Sequence, residues 1–217
     1  MRCVVFDLDG TLADTSADLI AAANACFAGL GMGAPLDPVA DALTAFHGGR
    51  AMLRLGFQRA GMDDALVDAQ FPVLLAAYAD GICDQTRLYP GAVHAVQTLR
   101  DLGYATAICT NKPEGLAQTL LERLGVRDLF GALVGADTLP VRKPDPAPYH
   151  LAVARAGGTR SMLVGDTETD RLTGLAAGVP VALVTFGPEG QGVARLSPEA
   201  LLDRFEDLSD LAERFLP

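Results

Sequence analysis

Five short apolar segments, each bounded by Gly, Pro or Asp, predict the strands of a sheet. They are rich in β-branched and other apolar residues and recur along the chain at residues 3–6, 105–109, 132–135, 162–164 and 181–184. Short apolar runs between turn-forming residues are typical of strands that are buried on both faces. The hydrophobic pattern therefore predicts a sheet covered by other elements on each side.

Between most of these strands the apolar positions repeat every three or four residues, which indicates helices. The helical segments span residues 92–102, 116–124 and 146–156, with a shorter one at 172–177. Strands that alternate with helices are typical of a parallel sheet with helices on both faces. The expected fold class is α/β, with a doubly wound, Rossmann-like parallel sheet.

One long interval interrupts the alternation. Residues 15–85 contain no convincing strand, and their pattern predicts helices at 15–30, 38–47, 51–60 and 63–79. The first of these begins with Thr15-Ser16-Ala17-Asp18, which resembles a capping box. A block of about 70 residues is the size of a small domain. We therefore expect residues 1–14 and 86–217 to form the core, and residues 15–85 to form a helical cap inserted after the first strand.

Composition and charge restrict the partners. The chain has 217 residues, 50% of them hydrophobic, and carries a formal net charge of −10 with only 17 basic residues. Nucleic acids and anionic membranes bind clusters of Lys and Arg, so neither is an expected partner. Four cysteines without a Cys-x-x-Cys pair, and the absence of a secretory signal, favour a cytoplasmic protein. The sequence leaves a monomer and a homodimer equally open.

The candidate chemistry begins at the end of the first predicted strand. Residues 7–11 read Asp-Leu-Asp-Gly-Thr. Side chains two residues apart on a strand share a face, so Asp7 and Asp9 point together, and Gly10 permits a sharp turn. Two crowded carboxylates require a cation or a shared proton. Ligands of open α/β sheets collect at the carboxyl ends of strands, so this pair predicts an active site.

Three further polar clusters follow predicted strands or precede helices. Residues 110–113 (Thr-Asn-Lys-Pro) combine a hydroxyl with a helix start, which suits a phosphate oxygen. Residues 142–146 (Arg-Lys-Pro-Asp-Pro) hold Lys143 in a stiff loop. Residues 165–170 (Gly-Asp-Thr-Glu-Thr-Asp) place Asp166 at a strand end and Asp170 one helical turn away, which offers a distant metal ligand.

The order and spacing of these four clusters over the whole chain resemble the haloacid dehalogenase-like superfamily. The similarity is to its phosphatase branch with an inserted helical cap, and Thr110-Asn111-Lys112 is similar to the form found in phosphoglycolate phosphatases. The resemblance implies a Mg²⁺-dependent phosphomonoester hydrolase that acts on a small phosphorylated metabolite, with 2-phosphoglycolate as the leading substrate. Two positions depart from the family pattern, since Arg171 and Gly174 stand where an apolar residue and alanine are usual.

The resemblance also implies a role for each matching residue. Asp7 would be the nucleophile that forms an aspartyl-phosphate, and Asp9 the general acid and base. Mg²⁺ would bind a carboxylate oxygen of Asp7, the carbonyl of Asp9 and the carboxylate of Asp166, and Asp170 would orient the metal's waters. The phosphoryl oxygens would be held by Lys143, Thr110 and the backbone N–H groups of Leu8, Asp9 and Asn111.

Within the predicted cap, residues 46–50 (Phe-His-Gly-Gly-Arg) are the best candidate for substrate selection. Arg50 would grip a carboxylate through two hydrogen bonds, although an arginine beside a helix is more often solvated. Asp14 and Asp18 are interpreted as helix-start residues, because acidic groups are favoured there by the helix dipole.

Three other functions compete with hydrolysis of a phosphomonoester. A sugar phosphomutase of the same fold would need acid–base and sugar-binding groups in the cap, and none is identifiable. A dehalogenase needs neither Mg²⁺ nor a residue of the Asp9 type. A non-catalytic metabolite-binding module has no use for an acid and base at Asp9.

Overall fold

The structure is a computed structural model that describes all 217 residues, and the chain separates into two compact units. Residues Met1–Ala13 and Leu88–Pro217 form one of them, here called the α/β unit. Residues Asp14–Arg87 form the other, here called the helical unit. None of the helices has the length and apolar character needed to span a membrane.

The strands are β1 (Arg2–Phe6), β2 (Ala13–Asp14), β3 (Arg87–Leu88), β4 (Ala105–Cys109), β5 (Ala132–Val134), β6 (Arg160–Gly165), β7 (Val181–Val184) and β8 (Ala200–Leu202). Six of them form a sheet in the order β5-β4-β1-β6-β7-β8, with every pair parallel. The short strands β2 and β3 pair with each other.

The helices are α1 (Ser16–Gly29), α2 (Ala42–Phe46), α3 (Gly49–Arg59), α4 (Val67–Asp80), α5 (Ala92–Asp101), α6 (Glu114–Arg123), α7 (Ala147–Arg155), α8 (Glu168–Ala177) and α9 (Leu208–Phe215). The first four belong to the helical unit and the other five to the α/β unit. The doubly wound α/β fold class predicted from the hydrophobic pattern is confirmed.

The central strands are buried except at their first residues, which explains their uninterrupted apolar sequence. Every residue of β7 and all but the first of β1 and β4 are buried. One face of the sheet shares a core with Tyr149 of α7 and with Val193. Because the sheet is covered by helices, the strands cannot alternate polar and apolar residues as a half-exposed sheet would.

Gly174 and Arg171, the two departures from the family pattern, both have structural reasons on α8. A Cβ atom on Gly174 would lie 2.0 Å from Val181 Cγ2, so only glycine allows α8 to approach β7 this closely. The Arg171 guanidinium donates to the Glu199 carboxylate at 2.7 Å, and that carboxylate accepts the backbone N–H of Val181. Here an ion pair between α8 and the segment before β8 takes the place of an apolar contact.

Several predicted elements differ from those observed. Strand β8 and helix α9 were not predicted. Strand β8 has only three residues, and α9 lies in a strongly charged segment. The helix predicted at 38–47 is wrong over its first half. The Asp37 carboxylate accepts the backbone N–H groups of Val39 and Ala40, which holds the chain in a turn until α2 begins at Ala42.

The capping box predicted at the start of α1 is also wrong. Thr15 makes no side-chain cap there, and the Asp14 carboxylate instead accepts the N–H and the hydroxyl of Ser16. Asp18 lies in the first turn of α1, but its partners belong to a segment that is distant in sequence. Its carboxylate accepts the N–H groups of Gln85 and Thr86, at 2.9 Å each, and the Thr86 hydroxyl at 2.7 Å.

Candidate active site

The register of the parallel sheet brings the predicted polar clusters to one edge. Phe6, the last residue of β1, is aligned with Ile108 of β4 and Val164 of β6. Each of the three strands therefore ends within about two residues of the others. The next residues along the chain are Asp7, Thr110 and Asp166, which begin the loops at the carboxyl edge of the sheet, where open α/β folds bind ligands.

Lys143 links two of the carboxylates at this edge. Its ammonium lies 3.1 Å from Asp7 Oδ1 and 2.6 Å from Asp170 Oδ1, and its side chain is 1% exposed. Burial opposes the charged form of Lys143, but the carboxylates of Asp170 and Asp7 raise its pKa above the usual value. Lys143 is therefore a fixed cation beside the predicted nucleophile.

Asp170 is anchored on its other side by the start of α8. Its Oδ2 accepts the backbone N–H groups of Asp166 and Thr167 and the Thr167 hydroxyl. Both oxygens are thus engaged by protein donors, one by Lys143 and the other by the loop that carries Asp166. In this arrangement Asp170 fixes the position of Lys143, in addition to any role toward a metal.

Asp7 and Asp166 are held in an environment that disfavours their charges. Burial raises the pKa of Asp7 to about 6, against the opposing effect of Lys143. Burial, followed by the charges of Asp170 and Asp7, raises the pKa of Asp166 well above its usual value. A cation bound between these carboxylates would favour their ionised forms.

The donor set fits a divalent metal ion. Carboxylate oxygens of Asp7, Asp166 and Asp170 lie within 4.8 Å of one another. The Thr11 hydroxyl donates to Asp166 Oδ1 at 2.7 Å, whereas the buried Asp166 Oδ2 has no hydrogen-bond partner. A buried oxygen of this kind is costly without a ligand. Hard divalent cations prefer oxygen donors, so this oxygen is suited to bind one.

Asp9 faces a different cation from Asp7. The ammonium of Lys112 lies 2.8 Å from Asp9 Oδ1 and 3.0 Å from Asp9 Oδ2. Gly10, the next residue, has a φ of 82°, a conformation that glycine adopts without strain, and this turns the chain sharply after Asp9. The carboxylates of Asp7 and Asp9, which are separated by one residue, therefore pair with different lysines.

The predicted phosphate-binding residues surround these pairs. The Thr110 hydroxyl accepts the backbone N–H of Lys112 at 3.2 Å, and the Asn111 side-chain amide donates to the Lys143 carbonyl at 3.0 Å. The Leu8 N–H donates to Asp7 Oδ1 at 2.7 Å. Contacts within the α/β unit therefore connect Asp7, Asp9, Thr110, Asn111, Lys143, Asp166 and Asp170.

Arg50, the predicted specificity residue, lies in the helical unit and has partners there. Its Nε donates to Asp68 Oδ1 at 2.9 Å, and its guanidinium stacks 3.9 Å from the centre of the Phe71 ring. Its role in substrate selection stays a prediction.

Sequence reasoning did not assign two residues of this network. Thr11 lies inside the Asp-Leu-Asp-Gly-Thr segment, which was a usable signal, but its partner Asp166 is 155 residues away. Lys112 lies inside the Thr-Asn-Lys-Pro segment, and the residue it pairs with depends on how the chain turns between β4 and α6. Sequence spacing carries no information on that turn.

Comparisons with known proteins identify the family of the chain. The sequence profile of the haloacid dehalogenase-like hydrolases matches residues 1–178. A phosphoglycolate phosphatase of Mesorhizobium japonicum is 38% identical over 218 residues, which cover 98% of this chain and 96% of that protein.

Solved structures share the fold. The crystal structure of a predicted phosphoglycolate phosphatase from Haemophilus somnus superposes with a TM-score of 0.85 at 25% identity and covers 96% of both chains. A putative β-phosphoglucomutase from Thermotoga maritima covers both chains fully with a TM-score of 0.76, but at 20% identity this similarity concerns the fold alone. The chain belongs to the haloacid dehalogenase-like hydrolases and is an enzyme of their phosphatase branch.

Proposed function

We propose that the protein hydrolyses a small phosphomonoester, with 2-phosphoglycolate as the leading substrate, through an aspartyl-phosphate on Asp7. The observation that carries this proposal is the buried cluster of Asp7, Asp166 and Asp170 around Lys143, with one Asp166 oxygen open to a ligand. The substrate is inferred from the phosphoglycolate phosphatases that are similar over nearly the whole chain.

The first half of the reaction forms the covalent intermediate. A carboxylate oxygen of Asp7 attacks phosphorus, the bond between phosphorus and the leaving oxygen breaks, and Asp9 donates a proton to that oxygen. Lys143, Thr110 and backbone N–H groups stabilise the charge on the phosphoryl oxygens. The Leu8 N–H, which binds Asp7 Oδ1 in the free protein, would exchange that partner for the phosphoryl group.

In the second half, water attacks phosphorus while Asp9 accepts its proton, which releases inorganic phosphate and restores Asp7. A divalent cation, which we propose to be Mg²⁺, would be held by Asp7, the Asp9 carbonyl and Asp166, and would neutralise charge on the phosphoryl group. We also propose that the helical unit acts as the cap, with Arg50 as its selecting residue. The cytoplasmic location stays a prediction.

The test is kcat/KM over 2-phosphoglycolate, pyrophosphate, nucleotides and hexose phosphates, with Mg²⁺ and with a chelator. Metal-dependent release of phosphate is expected, with 2-phosphoglycolate preferred. Asp7→Asn should lower turnover by about 10⁴-fold or more, whereas Asp101→Asn, the same change at an exposed residue of α5, should not. Isomerisation of a hexose phosphate in place of phosphate release would replace this proposal with a phosphomutase.

A further inference from the structure

Lysine is rare in this chain, and nearly all of its basic residues are arginines. The sequence contains fifteen arginines but only two lysines, Lys112 and Lys143. Both lysines are buried in the α/β unit, and each pairs with an aspartate of the Asp-Leu-Asp-Gly-Thr segment. Lys143 has a role in the proposed reaction, whereas Lys112 has none so far.

Lys112 is held in place by its backbone as well as by its side chain. Its N–H donates to the Thr110 hydroxyl, and its carbonyl accepts the N–H of Ala136 at 2.9 Å. Its side chain is 4% exposed, against 19% for Asp9. The ammonium therefore extends from a fixed point in the interior toward a carboxylate that is more accessible than itself.

We propose that Lys112 is the positioning residue for Asp9. In the free protein the ammonium donates to both carboxylate oxygens and so fixes the position of Asp9. When Asp9 is protonated for transfer, one oxygen carries the proton toward the leaving oxygen, and the other keeps its hydrogen bond from Lys112. The inference rests on the proposed function, because it assigns Asp9 as the general acid. A misplacement of about 1 Å can cost roughly 100-fold in rate, so a contact that fixes the Asp9 side chain should have a large effect on the reaction.

The choice of lysine is consistent with this role. With its carboxylates ionised, the site holds four aspartates, Asp7, Asp9, Asp166 and Asp170, against two ammonium groups. Replacement of Lys112 by an apolar residue would remove half of the positive charge. An ammonium is compact and rotates freely, whereas the planar guanidinium of arginine has fixed donor directions and needs more space. The buried position beside Asp9 suits the smaller group.

The effect of losing Lys112 should depend on the leaving group of the substrate. An alkoxide leaves only when it is protonated, so hydrolysis of an alkyl phosphate depends on a correctly placed acid. p-Nitrophenolate is a stable anion that leaves without this help. Loss of Lys112 should therefore harm the hydrolysis of alkyl phosphates more than that of p-nitrophenyl phosphate. A lysine that only bound the transferred phosphoryl group, or only supported the fold, would affect both substrates equally.

The kinetic test compares Lys112→Met with wild type on 2-phosphoglycolate, glycerol phosphate and p-nitrophenyl phosphate. The measured quantity is kcat/KM, which reports the steps through departure of the leaving group and excludes hydrolysis of the intermediate. Because general acid catalysis contributes about 10²–10⁴-fold, we expect a loss of about 10- to 100-fold on the two alkyl phosphates. On p-nitrophenyl phosphate we expect a loss of about 3-fold or less.

Arg123→Met, which removes an exposed cation from the last turn of α6, is the control and should match wild type.

A second measurement needs no activity and uses the scarcity of lysine. Protein labelled with carbon-13 at lysine Cε should give two side-chain NMR signals, and the Lys112→Met variant identifies which belongs to Lys112. Asp9→Asn should shift mainly the Lys112 signal, and Asp7→Asn mainly the Lys143 signal.

Equal losses on alkyl and aryl phosphates, or no loss on either, would overturn the role of Lys112 while leaving the proposed function intact. An unchanged Lys112 signal in Asp9→Asn would overturn it as well, even if Lys112→Met failed to fold. Wild-type protein that hydrolysed none of the three substrates would instead refute the proposed function, and with it the role assigned to Lys112.

Discussion

The two units bury carboxylates in opposite ways. In the helical unit, the buried Asp18 accepts hydrogen bonds from three donor groups of Gln85 and Thr86, and the buried Asp41 accepts two hydrogen bonds from Arg59 at 2.6 and 2.7 Å. In the α/β unit, Asp7, Asp166 and Asp170 face one another within 4.8 Å. The helical unit gives each of these carboxylates its own donors, whereas the α/β unit places three carboxylates together and leaves one oxygen of Asp166 without a donor.

The comparison indicates which buried charges contribute to stability and which contribute to the reaction. A carboxylate with a full set of donors stabilises the fold when it is ionised. Carboxylates that crowd together destabilise the fold until a cation binds them, and such an arrangement persists where function requires it. Substitutions in the two units should therefore separate stability from activity.

The largest expected effect comes from Lys143→Met in the α/β unit. Removal of this cation leaves Asp7 and Asp170 without their shared partner, and breaking a buried ion pair costs about 3–5 kcal/mol of unfolding free energy. The loss of a group that stabilises the transition state should also lower kcat/KM by about 10²–10³-fold. Urea unfolding in a chelator and steady-state kinetics measure the two losses. A loss of stability with normal kcat/KM would contradict the assignment of this cluster to catalysis.

A smaller effect, on stability alone, is expected from Asp18→Ala in the helical unit. This change leaves the N–H groups of Gln85 and Thr86 without their buried acceptor, which costs about 1–3 kcal/mol of unfolding free energy. Urea unfolding tests the loss, and kcat/KM on p-nitrophenyl phosphate should stay at the wild-type value. If kcat/KM fell as much as in Lys143→Met, the contrast between the two units would fail.

The smallest effect concerns Asp41 and depends on pH. The hydrogen bonds from Arg59 hold the pKa of Asp41 below its usual value. A carboxyl with a depressed pKa stabilises the fold above its unfolded-state pKa, which is about 3.9, and this contribution disappears as pH falls through the folded-state value. We expect Asp41→Asn to lower Tm by about 2–4 °C at pH 7. The difference from wild type should shrink below about pH 4, and a difference independent of pH would exclude the ion pair as its source.

The sequence predicted the fold class, and the position of polar residues at one edge of the sheet, better than the contacts among those residues. Buried parallel strands need continuous apolar runs, so β1, β4, β5, β6 and β7 were visible as such. The polar residues that follow β1, β4 and β6 were predictable for the same reason, because parallel strands end at a common edge.

The partners of individual polar side chains were not predictable in this way. Asp18 resembled a capping residue but binds a segment 67 residues further along the chain, and Lys112 resembled part of a phosphate loop but pairs with Asp9 across 103 residues. Short polar side chains form whichever hydrogen bonds the tertiary structure offers, so their partners follow from the fold and not from neighbouring residues.

The most direct test of the central claim is to trap the proposed intermediate on Asp7. Protein mixed with a phosphomonoester carrying radioactive phosphorus, and quenched in acid during turnover, should yield a labelled peptide that contains Asp7. The label should be absent from Asp7→Asn and present in Asp101→Asn. Steady hydrolysis without label on that peptide, or label on another residue, would contradict the account.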